Sequence, residues 1–425
     1  MDNPPAAEAS ALQELYDVRN EAASMGNAAA FDINERLNAL RERGPVLKGA
    51  LRDLLGMEAR SPYEVQRDTY TALSFRACER ALRENETFTS FAYNEMPGVR
   101  GMGTIILNKI GDDHRRFRAT AQPMFIKPKA MTWWRPNWID ATVAALLDRI
   151  EGGERADLNL DLCAPLPLQV VTRAVGLRGD DALTFRQHLL KSLGNHRAAP
   201  EDQRHSQAEV LRMLREVITA RRAAPGEDVI SGLIAADFET ETGAVRKLAD
   251  DEVLGFCRHL LLAGGGTTWR QLGITIHAML SHPGVWEACR NERPRIADAV
   301  EEAARWNITG PVFPRLVLEE TELEGVRIPA GSRMDVCLGA GNRDPSRWDN
   351  PDDFDIFRPR QTHLGFGYGP HLCLGQHVAR QTMIVAIDGL MERFPDIRLD
   401  PDAPAPELTG GLEQRGMSAI PVLLR

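Results

Sequence analysis

The segment best suited to chemistry surrounds one cysteine late in the sequence. Glycines stand at positions 365, 367, 369 and 375 around Cys373, and a helical pattern begins directly after them. Glycine lets the backbone bend sharply and approach a flat cofactor closely. The positive end of a helix dipole favours a thiolate. The spacing therefore suits a cysteine sulfur that binds a metal, with backbone N–H groups turned towards it.

Two other interpretations of these glycines stay open on the residue types alone. The segment could be a glycine-rich turn before a surface helix, with Cys373 packed as a small apolar residue. It could also be a phosphate-binding loop, although the Gly-Lys-Ser/Thr ending of such loops is absent. Glycine content by itself does not decide between these possibilities.

The full string over residues 363–380 resembles the cysteine-ligand signature of the cytochrome P450 family. That signature reads Phe-x-x-Gly-x-x-x-Cys-x-Gly, and its fixed places are filled by Phe366, Gly369, Cys373 and Gly375. The resemblance implies haem b (iron protoporphyrin IX) as the cofactor, with Cys373 as the axial iron ligand and Phe366 packed near the sulfur. A thiolate ligand donates electron density to haem iron and favours O–O cleavage.

Basic residues elsewhere match the places at which the family binds haem propionates. His114 and Arg118 lie four residues apart, a pair that by itself is typical of a basic helix turn on a protein surface. In the family, His-x-x-x-Arg at this place binds propionates, and Arg315 matches another propionate-binding arginine. The resemblance also implies that His371 hydrogen-bonds a propionate. Such donors are well suited to carboxylates.

The longest helical pattern, over residues 250–281, contains three consecutive glycines. Each costs about 1 kcal/mol relative to alanine inside a helix, so something must approach the backbone there, either a ligand or another helix. The P450 pattern at the dioxygen site is Ala-Gly-x-(Asp/Glu)-Thr, which Ala263, Gly264 and Thr267 match, whereas Gly266 replaces the acid. We expect Ala263 and Gly264 to leave space beside the cofactor.

The missing acid changes how protons are expected to arrive during oxygen activation. Thr267 is the expected catalytic hydroxyl, and Gly266 leaves volume for a water that needs two to four polar partners. Gln271 lies one turn beyond Thr267 on the same helix face, so we expect it to help hold that water. The alternative is a poor relay that loses reducing power as peroxide.

Two further groups of residues follow from the resemblance. Glu302 and Arg305 match the structural Glu-x-x-Arg pair of the family, and Arg358 matches its later arginine partner. As a lone pair, the first two residues would be an exposed contact worth a few tenths of a kcal/mol. Family position also nominates substrate-facing residues, each of which could instead be ordinary core: Phe91, Tyr93, Met102, Thr268, Val312, Phe313 and Met417.

The resemblance, which covers roughly residues 70–425, implies a haem-thiolate monooxygenase of the bacterial type. It would oxidise a small, largely apolar organic molecule with O2 and two electrons. A separate donor is expected, a ferredoxin with its reductase, since no reductase domain follows the cysteine loop. Open alternatives are a peroxygenase, a P450 that couples, dehydrates or rearranges its substrate, and a haem sensor without turnover.

An acidic ferredoxin is expected to bind a basic patch of five residues: Arg115, Arg116, Lys127, Lys129 and Arg380.

Composition agrees with a globular oxidoreductase and disfavours other classes. The 425 residues are 43% hydrophobic and 26% charged, with a net charge of -9, and such an acidic balance argues against nucleic-acid binding. We find no signal-peptide pattern and no apolar run near the roughly 20 residues of a membrane helix. Six scattered cysteines without a CxxC pair favour reduced thiols, so we expect a cytoplasmic protein.

Periodicity predicts a mainly α fold with small β-sheets. The family resemblance implies the triangular P450 fold, with the haem between the long oxygen-side helix and the cysteine-ligand loop. We expect residues 1–30 to be a poorly ordered lead and residues 31–425 to form one haem-binding catalytic domain. Alternating residues predict strands over 315–338. Apolar spacing near 3.6 predicts helices over residues 63–85, 137–151, 205–223, 250–281 and 294–306.

Overall fold

The computed structural model describes residues 31–57, 67–95, 99, 105–192, 199–412 and 414–425. The expected lead over residues 1–30 and the expected substrate residue Met102 lie outside these ranges. Within them the protein is mainly helical with small sheets, as predicted. No helix in these ranges is long and apolar enough to cross a membrane.

The helices and strands follow one another along the whole described chain. The α-helices span Ile33–Glu42, Leu51–Leu54, Phe75–Arg83, Gly111–Ala121, Lys127–Lys129, Asp140–Ile150, Pro165–Ala174, Gly179–Ser192, Pro200–Ala223, Val229–Ala235, Asp250–Ser281, Val285–Asn291, Arg295–Trp306, Leu338–Gly341 and Gln376–Arg393. Shorter 3-10 helices span Ser90–Glu95, Ile106–Asn108, Gln122–Met124 and Gly369–His371, and π-helices span Ala130–Ile139 and Asn159–Cys163. The strands span Val46–Lys48, Thr69–Ala72, Phe88–Thr89, Arg155–Asp157, Asp237–Glu239, Val245–Lys247, Val312–Val317, Thr321–Leu323, Val326–Ile328, Arg333–Cys337, Arg398–Leu399, Leu408–Gly410, Arg415–Met417 and Pro421–Leu423.

The long helix Asp250–Ser281 confirms the sequence prediction at both ends. It begins where the Glu252 carboxylate accepts a hydrogen bond from the backbone N–H of Ala249, which satisfies a free N-terminal donor. It ends two residues before Pro283, a residue that disfavours helical backbone immediately ahead of it. Most of its second half is buried, so it forms the centre of the largest hydrophobic core.

One predicted helix is wrong in its first part. Residues 69–72 of the predicted helix 63–85 form the strand Thr69–Ala72, and the helix begins only at Phe75. Thr69, Tyr70 and Thr71 are residue types that favour a pleated, half-buried surface. This strand pairs in parallel with Arg333–Cys337, and tertiary pairing therefore overrides the local helical spacing.

The largest sheet joins early strands of the chain to strands between residues 312 and 337. Its five strands lie in the order Val46–Lys48, Thr69–Ala72, Arg333–Cys337, Val312–Val317 and Phe88–Thr89. The predicted strand region 315–338 contributes to the third and fourth of these strands, Arg333–Cys337 and Val312–Val317. These two strands pair antiparallel, with Met334 opposite Arg315. The sheet thereby places Arg315 at a fixed position beside the 3-10 helix Ser90–Glu95.

Candidate active site

The cysteine loop, residues 363–375, is shaped by backbone that only glycine tolerates. Gly369 has a φ of 69°, and a side-chain carbon there would lie 2.5 Å from the carbonyl oxygen of Leu82. This turn lets the N–H of Cys373 donate to the carbonyl oxygen of Phe366 at 2.9 Å. The helix Gln376–Arg393 starts directly after Gly375, so the sulfur stands at a helix N-terminus as the spacing predicted.

Cys373 differs from the other five cysteines in its surroundings. It is half-buried, whereas Cys78, Cys163, Cys257, Cys289 and Cys337 are fully buried. Burial raises the pKa of the Cys373 thiol, and the backbone N–H of Gly375 and the charge of Arg380 oppose that rise. A side-chain carbon at Gly375 would contact no other heavy atom within 4 Å. Packing within the protein therefore does not require glycine there, and a flat cofactor beside the sulfur accounts for it.

A cluster of buried nitrogen atoms lies beside this loop. The rings of His114 and His371 are 4.0 Å apart between centroids, and the Nε2 of His371 lies 2.9 Å from the Oγ of Ser90. Burial, followed by the charge of Arg118, lowers the pKa of His114 to about 4, so its ring is neutral at pH 7. Its Nε2 is buried without a hydrogen-bond partner among the described residues.

Two arginines complete the cluster of nitrogen donors. Arg118 donates to the carbonyl oxygen of Pro370 at 3.2 Å. Arg315 is only 3% exposed, and its Nε likewise has no partner in the described part of the chain. Burial lowers the pKa of Arg315, and the Tyr93 phenol, which is hydrogen-bonded to it, partly compensates. Because unpaired buried donors are costly, the cluster fits the two carboxylates of a haem.

On the oxygen-side helix, the hydroxyl of Thr267 is hydrogen-bonded to backbone of its own helix. Its Oγ1 donates to the carbonyl oxygen of Ala263 at 2.8 Å, and Ala263 is exposed. Gly264 does not fit its expected role beside the cofactor, because a side-chain carbon there would lie 3.2 Å from the Cγ2 of Val171. This glycine permits close packing against the helix Pro165–Ala174, which was the alternative interpretation.

The position of the missing acid is covered by an arginine that the sequence reasoning overlooked. The Nη1 of Arg270 donates to the carbonyl oxygen of Gly266 at 2.8 Å. The guanidinium is buried and lies 4.3 Å above the ring of Trp269. A side-chain carbon at Gly266 would lie 3.3 Å from this Nη1 and 3.6 Å from the Oε1 of Gln414. The i, i+4 spacing between Gly266 and Arg270 was the available signal.

The expectation that Gln271 holds a relay water is wrong in this geometry. Its Nε2 donates to the carbonyl oxygen of Asn307 at 3.2 Å, and its Oε1 accepts from the N–H of Thr309 at 3.1 Å. Both ends of the amide are therefore satisfied by backbone of the loop that follows the helix Arg295–Trp306. Gln271 ties that loop to the oxygen-side helix, and its buried amide is engaged there by backbone at both its nitrogen and its oxygen.

The expected substrate-facing residues differ in their surroundings. Phe91 and Phe313 are 44% and 36% exposed, and they lie on adjoining elements, the 3-10 helix Ser90–Glu95 and the strand Val312–Val317. Tyr93 is buried and bound to Arg315, so it supports the donor cluster. Two further candidates pack into core.

Met417 is 2% exposed, belongs to the main core and lies 3.9 Å from the position of a side-chain carbon at Gly273. Met417 is therefore packed in the core against the oxygen-side helix, which does not favour its expected substrate role. Val312 is partly buried and packs against the core cluster that contains Ile33 and Leu37, and its substrate role stays a prediction. Thr268 is 8% exposed and keeps its place one residue after the catalytic hydroxyl.

The structural trio Glu302, Arg305 and Arg358 is brought together as expected. Arg305 is 2% exposed and donates from Nη2 and Nε to the two carboxylate oxygens of Glu302, at 2.7 and 2.8 Å. The Nε of Arg358 reaches the same carboxylate at 3.3 Å. Arg305 also donates to the carbonyl oxygens of Asn342 and Pro351. The interpretation as an exposed surface pair is therefore wrong.

The expected basic patch is smaller than the sequence indicated. Arg115 pairs with Asp112 and Arg116 with Asp113 on their own helix. Arg380 is held by Glu301. Since three of the five cations face carboxylates, the exposed positive charge comes mainly from the two lysines at positions 127 and 129.

Comparison with known proteins agrees with this site. The cytochrome P450 family model matches residues 181–411, which include Thr267 and Cys373. Cytochrome P450 105C1 from a Streptomyces species is 31% identical over 396 residues, covering 92% of this chain and 95% of the relative. Erythromycin C-12 hydroxylase from Saccharopolyspora erythraea is 32% identical over 329 residues, covering 76% of this chain and 81% of the relative.

The fold is also similar to solved structures. The crystal structure of CYP109E1 from Bacillus megaterium in complex with testosterone superposes with a TM-score of 0.80 at 24% identity, covering 93% of this chain and all of that chain. At this identity the likeness concerns the fold alone, which it confirms as the expected P450 fold. The family model, which matches residues 181–411, includes both the cysteine loop and the oxygen-side helix. On these grounds the chain belongs to the cytochrome P450 family and is a haem-thiolate monooxygenase.

Proposed function

We propose that this P450 hydroxylates a small, largely apolar molecule with O2 and two electrons from a separate ferredoxin and its reductase. The observation that carries the proposal is Cys373, a half-buried cysteine at a helix N-terminus with the backbone N–H of Gly375 directed at its sulfur. The relative named erythromycin C-12 hydroxylase supports hydroxylation as the reaction. The name of a relative does not define the substrate of this chain.

The cofactor we propose is haem b. Cys373 would hold its iron, and Phe366 and Gly375 would flank the sulfur. The carboxylates would be bound by the donor cluster, whose members are His114, Arg118, Arg315 and His371. When bound, haem with a thiolate ligand supplies the activation of dioxygen.

Thr267 is the residue proposed to move a proton. Its hydroxyl carries one donor and two acceptor sites, and the donor is used on the carbonyl oxygen of Ala263. Its oxygen can therefore accept a hydrogen bond from a water or a substrate hydroxyl while its own proton remains hydrogen-bonded to the helix backbone. Because Gly266 offers no side chain and Gln271 is engaged by backbone, a mobile water or the substrate must supply the next link.

Two aromatic side chains are proposed to contact the substrate. Phe91 and Phe313 are exposed although they are large and apolar, and the strand of Phe313 also carries the propionate-cluster residue Arg315. Exposed aromatics on adjoining elements are typical of a surface that binds an apolar ligand. Thr268, one residue after Thr267, would contact the substrate from the oxygen-side helix.

A narrower surface is proposed for the ferredoxin. Lys127 and Lys129 are exposed, and their neighbours Ile126 and Met131 are 40% and 46% exposed. Positive charge beside apolar side chains suits an acidic electron-transfer protein that binds transiently.

We also propose a cytoplasmic location, where cysteines remain reduced, and a single catalytic domain over residues 31–425.

Turnover with different electron sources tests this function. Product should form from NAD(P)H with ferredoxin and ferredoxin reductase, and hydrogen peroxide alone should support far less of it. Efficient turnover with peroxide alone would identify a peroxygenase instead. A thiolate-type carbon monoxide spectrum without any product across a broad apolar library would favour the haem sensor. If the products are coupled, dehydrated or rearranged rather than hydroxylated, the protein is a P450 that catalyses those reactions.

A further inference from the structure

Behind the cysteine loop lies a network that none of the expected roles explains. The guanidinium of Arg380 lies 4.0 Å from the ring centroid of Phe366. It donates from Nε and Nη2 to the carboxylate of Glu301, the latter contact at 2.9 Å. Arg380 is on the helix that begins after the loop, and Glu301 is on the helix Arg295–Trp306. The stack therefore connects three separate elements.

His363 closes the network from the start of the loop. Its Nδ1 accepts the N–H of Gly365 at 2.9 Å, so its Nε2 carries the proton that faces Glu301 at 3.0 Å. Burial opposes ionisation of Glu301, but hydrogen bonds from Arg380 and His363 outweigh it and lower the pKa of Glu301 to about 2. Glu301 is therefore ionised at pH 7 and forms an ion pair with the guanidinium of Arg380.

This charge pair is directly connected to the proposed iron ligand. The guanidinium of Arg380 stacks on the ring of Phe366. The carbonyl oxygen of Phe366 accepts a hydrogen bond from the backbone N–H of Cys373 at 2.9 Å. The charge of Arg380 also opposes the burial-driven rise in the pKa of the Cys373 thiol. The side chains of Arg380 and Glu301 are only 21% and 27% exposed, so solvent screens their fields incompletely.

We propose that Arg380 and Glu301 form a matched charge pair that sets the electron donation of Cys373, and with it the reduction potential of the bound iron. This inference rests on the proposed haem-thiolate function. Both are positioning residues, since they act through Phe366 and the loop rather than on substrate. A basic docking residue for a ferredoxin was the earlier expectation for Arg380, and its engagement by Glu301 and Phe366 does not favour that role.

The proposal predicts shifts of opposite sign. Reduction adds one electron to the iron, so a nearby cation favours the reduced state and a nearby anion opposes it. Arg380→Gln leaves the negative charge of Glu301 uncompensated and should lower the potential. Glu301→Gln leaves the positive charge uncompensated and should raise it. The double variant should return close to the wild-type value.

The test is the midpoint potential of each purified haem-loaded variant without any redox partner. We expect each single variant to change the ratio of reduced to oxidised iron at fixed potential by about tenfold, where tenfold corresponds to 59 mV for one electron. Arg380→Lys keeps the charge and should remain near wild type. Arg393→Gln is the control, since Arg393 is on the same helix but pairs with Asp148 and Glu151.

Three results would overturn the proposal. Shifts of the same sign in Arg380→Gln and Glu301→Gln would indicate loosened packing only. A shift in Arg380→Lys equal to that in Arg380→Gln would assign the effect to the stack and not to the charge. Unchanged potentials in all variants would leave Arg380 as a structural or docking residue. If one single variant does not bind haem, the other decides: a lowered potential in Arg380→Gln or a raised potential in Glu301→Gln supports the charge pair, and a shift of the other sign overturns it. A wild type without a thiolate-type spectrum would instead refute the underlying function.

Discussion

The two sides of the proposed haem site differ in how they are built. On the cysteine side, Glu301 and Glu302 hold three arginines and one histidine between helices and loops. On the oxygen side, the long helix offers glycines, and Thr267 and Arg270 make hydrogen bonds to carbonyl oxygens of their own helix. The cysteine side is held by buried and partly buried ion pairs, whereas the polar side chains Thr267 and Arg270 of the oxygen side are held by hydrogen bonds to their own helix.

This difference follows from what each side must do. A ligand sulfur and its loop must keep one geometry. Buried charge pairs resist displacement, because breaking a pair leaves a buried charge without a partner. Proton delivery needs exchangeable partners, which a rigid ion-pair network would exclude. The glycine at position 266, where the family has a carboxylate, is consistent with proton delivery through exchangeable partners.

The largest expected effect is on stability and breaks the cysteine side. Glu302→Ala removes the carboxylate that holds Arg305 and Arg358, so the free energy of unfolding in urea should fall by about 3–5 kcal/mol. Glu292→Ala removes an exposed partner of Arg295 and should cost less than about 1 kcal/mol. Equal effects of the two substitutions would show that burial does not distinguish the networks.

The oxygen side is tested by product formed per electron pair. Thr267→Ala should lower this ratio by about tenfold or more and release the difference as hydrogen peroxide, since a side chain positioned for proton transfer contributes roughly 10²–10⁴ in rate. Gly266→Glu should give little improvement, because the new carboxylate would lie against Arg270. A clear rise in product with Gly266→Glu would favour the poor-relay alternative. No change with Thr267→Ala would remove its role.

Sequence and structure agree best where chemistry depends on a short contiguous string. The loop around Cys373 and both ends of the helix Asp250–Ser281 could be predicted, because glycine turns, caps and periodicity are local. The strand Thr69–Ala72 and the packing of Met417 could not be predicted from local pattern, because each depends on a partner that is distant in sequence. The same holds for Gln271, whose partners lie 36 and 38 residues further along the chain.

Charge networks were predicted only where the family pattern names them. Glu302, Arg305 and Arg358 were identified from that pattern, whereas Glu301 and His363 were not, although Glu301 is adjacent to Glu302. Glu301 and Glu302 point to different partners because successive residues of a helix face different directions. Only the packed structure shows which partner each carboxylate meets.

A smaller effect is expected in acid. The folded-state pKa of Glu301 is lowered from 4.5 to about 2, so its contribution to stability is complete above the unfolded-state pKa and is lost as the pH falls from about 4.5 towards 2. Glu301→Gln should therefore flatten the decline of the unfolding free energy over this window. A variant that declines as steeply as wild type would contradict the lowered pKa.

The smallest expected effect is on partner binding. Lys127→Glu and Lys129→Glu should each raise the ferredoxin concentration needed for half-maximal reduction by a few-fold at low salt, and the effect should weaken as ionic strength rises. Lys48→Glu, an exposed lysine on the strand Val46–Lys48, is the matched control. If Lys48→Glu weakens reduction equally, net charge rather than this surface directs the partner.

The most direct test of the central claim is the carbon monoxide spectrum of the reduced, haem-loaded protein. The wild type should show a thiolate-type spectrum, and Cys373→Ser should lose it because an alcohol oxygen is a harder and weaker donor. Cys337→Ala, which changes a fully buried cysteine elsewhere, should keep it. A thiolate-type spectrum that survives Cys373→Ser, or that is absent from wild type, would contradict Cys373 as the iron ligand.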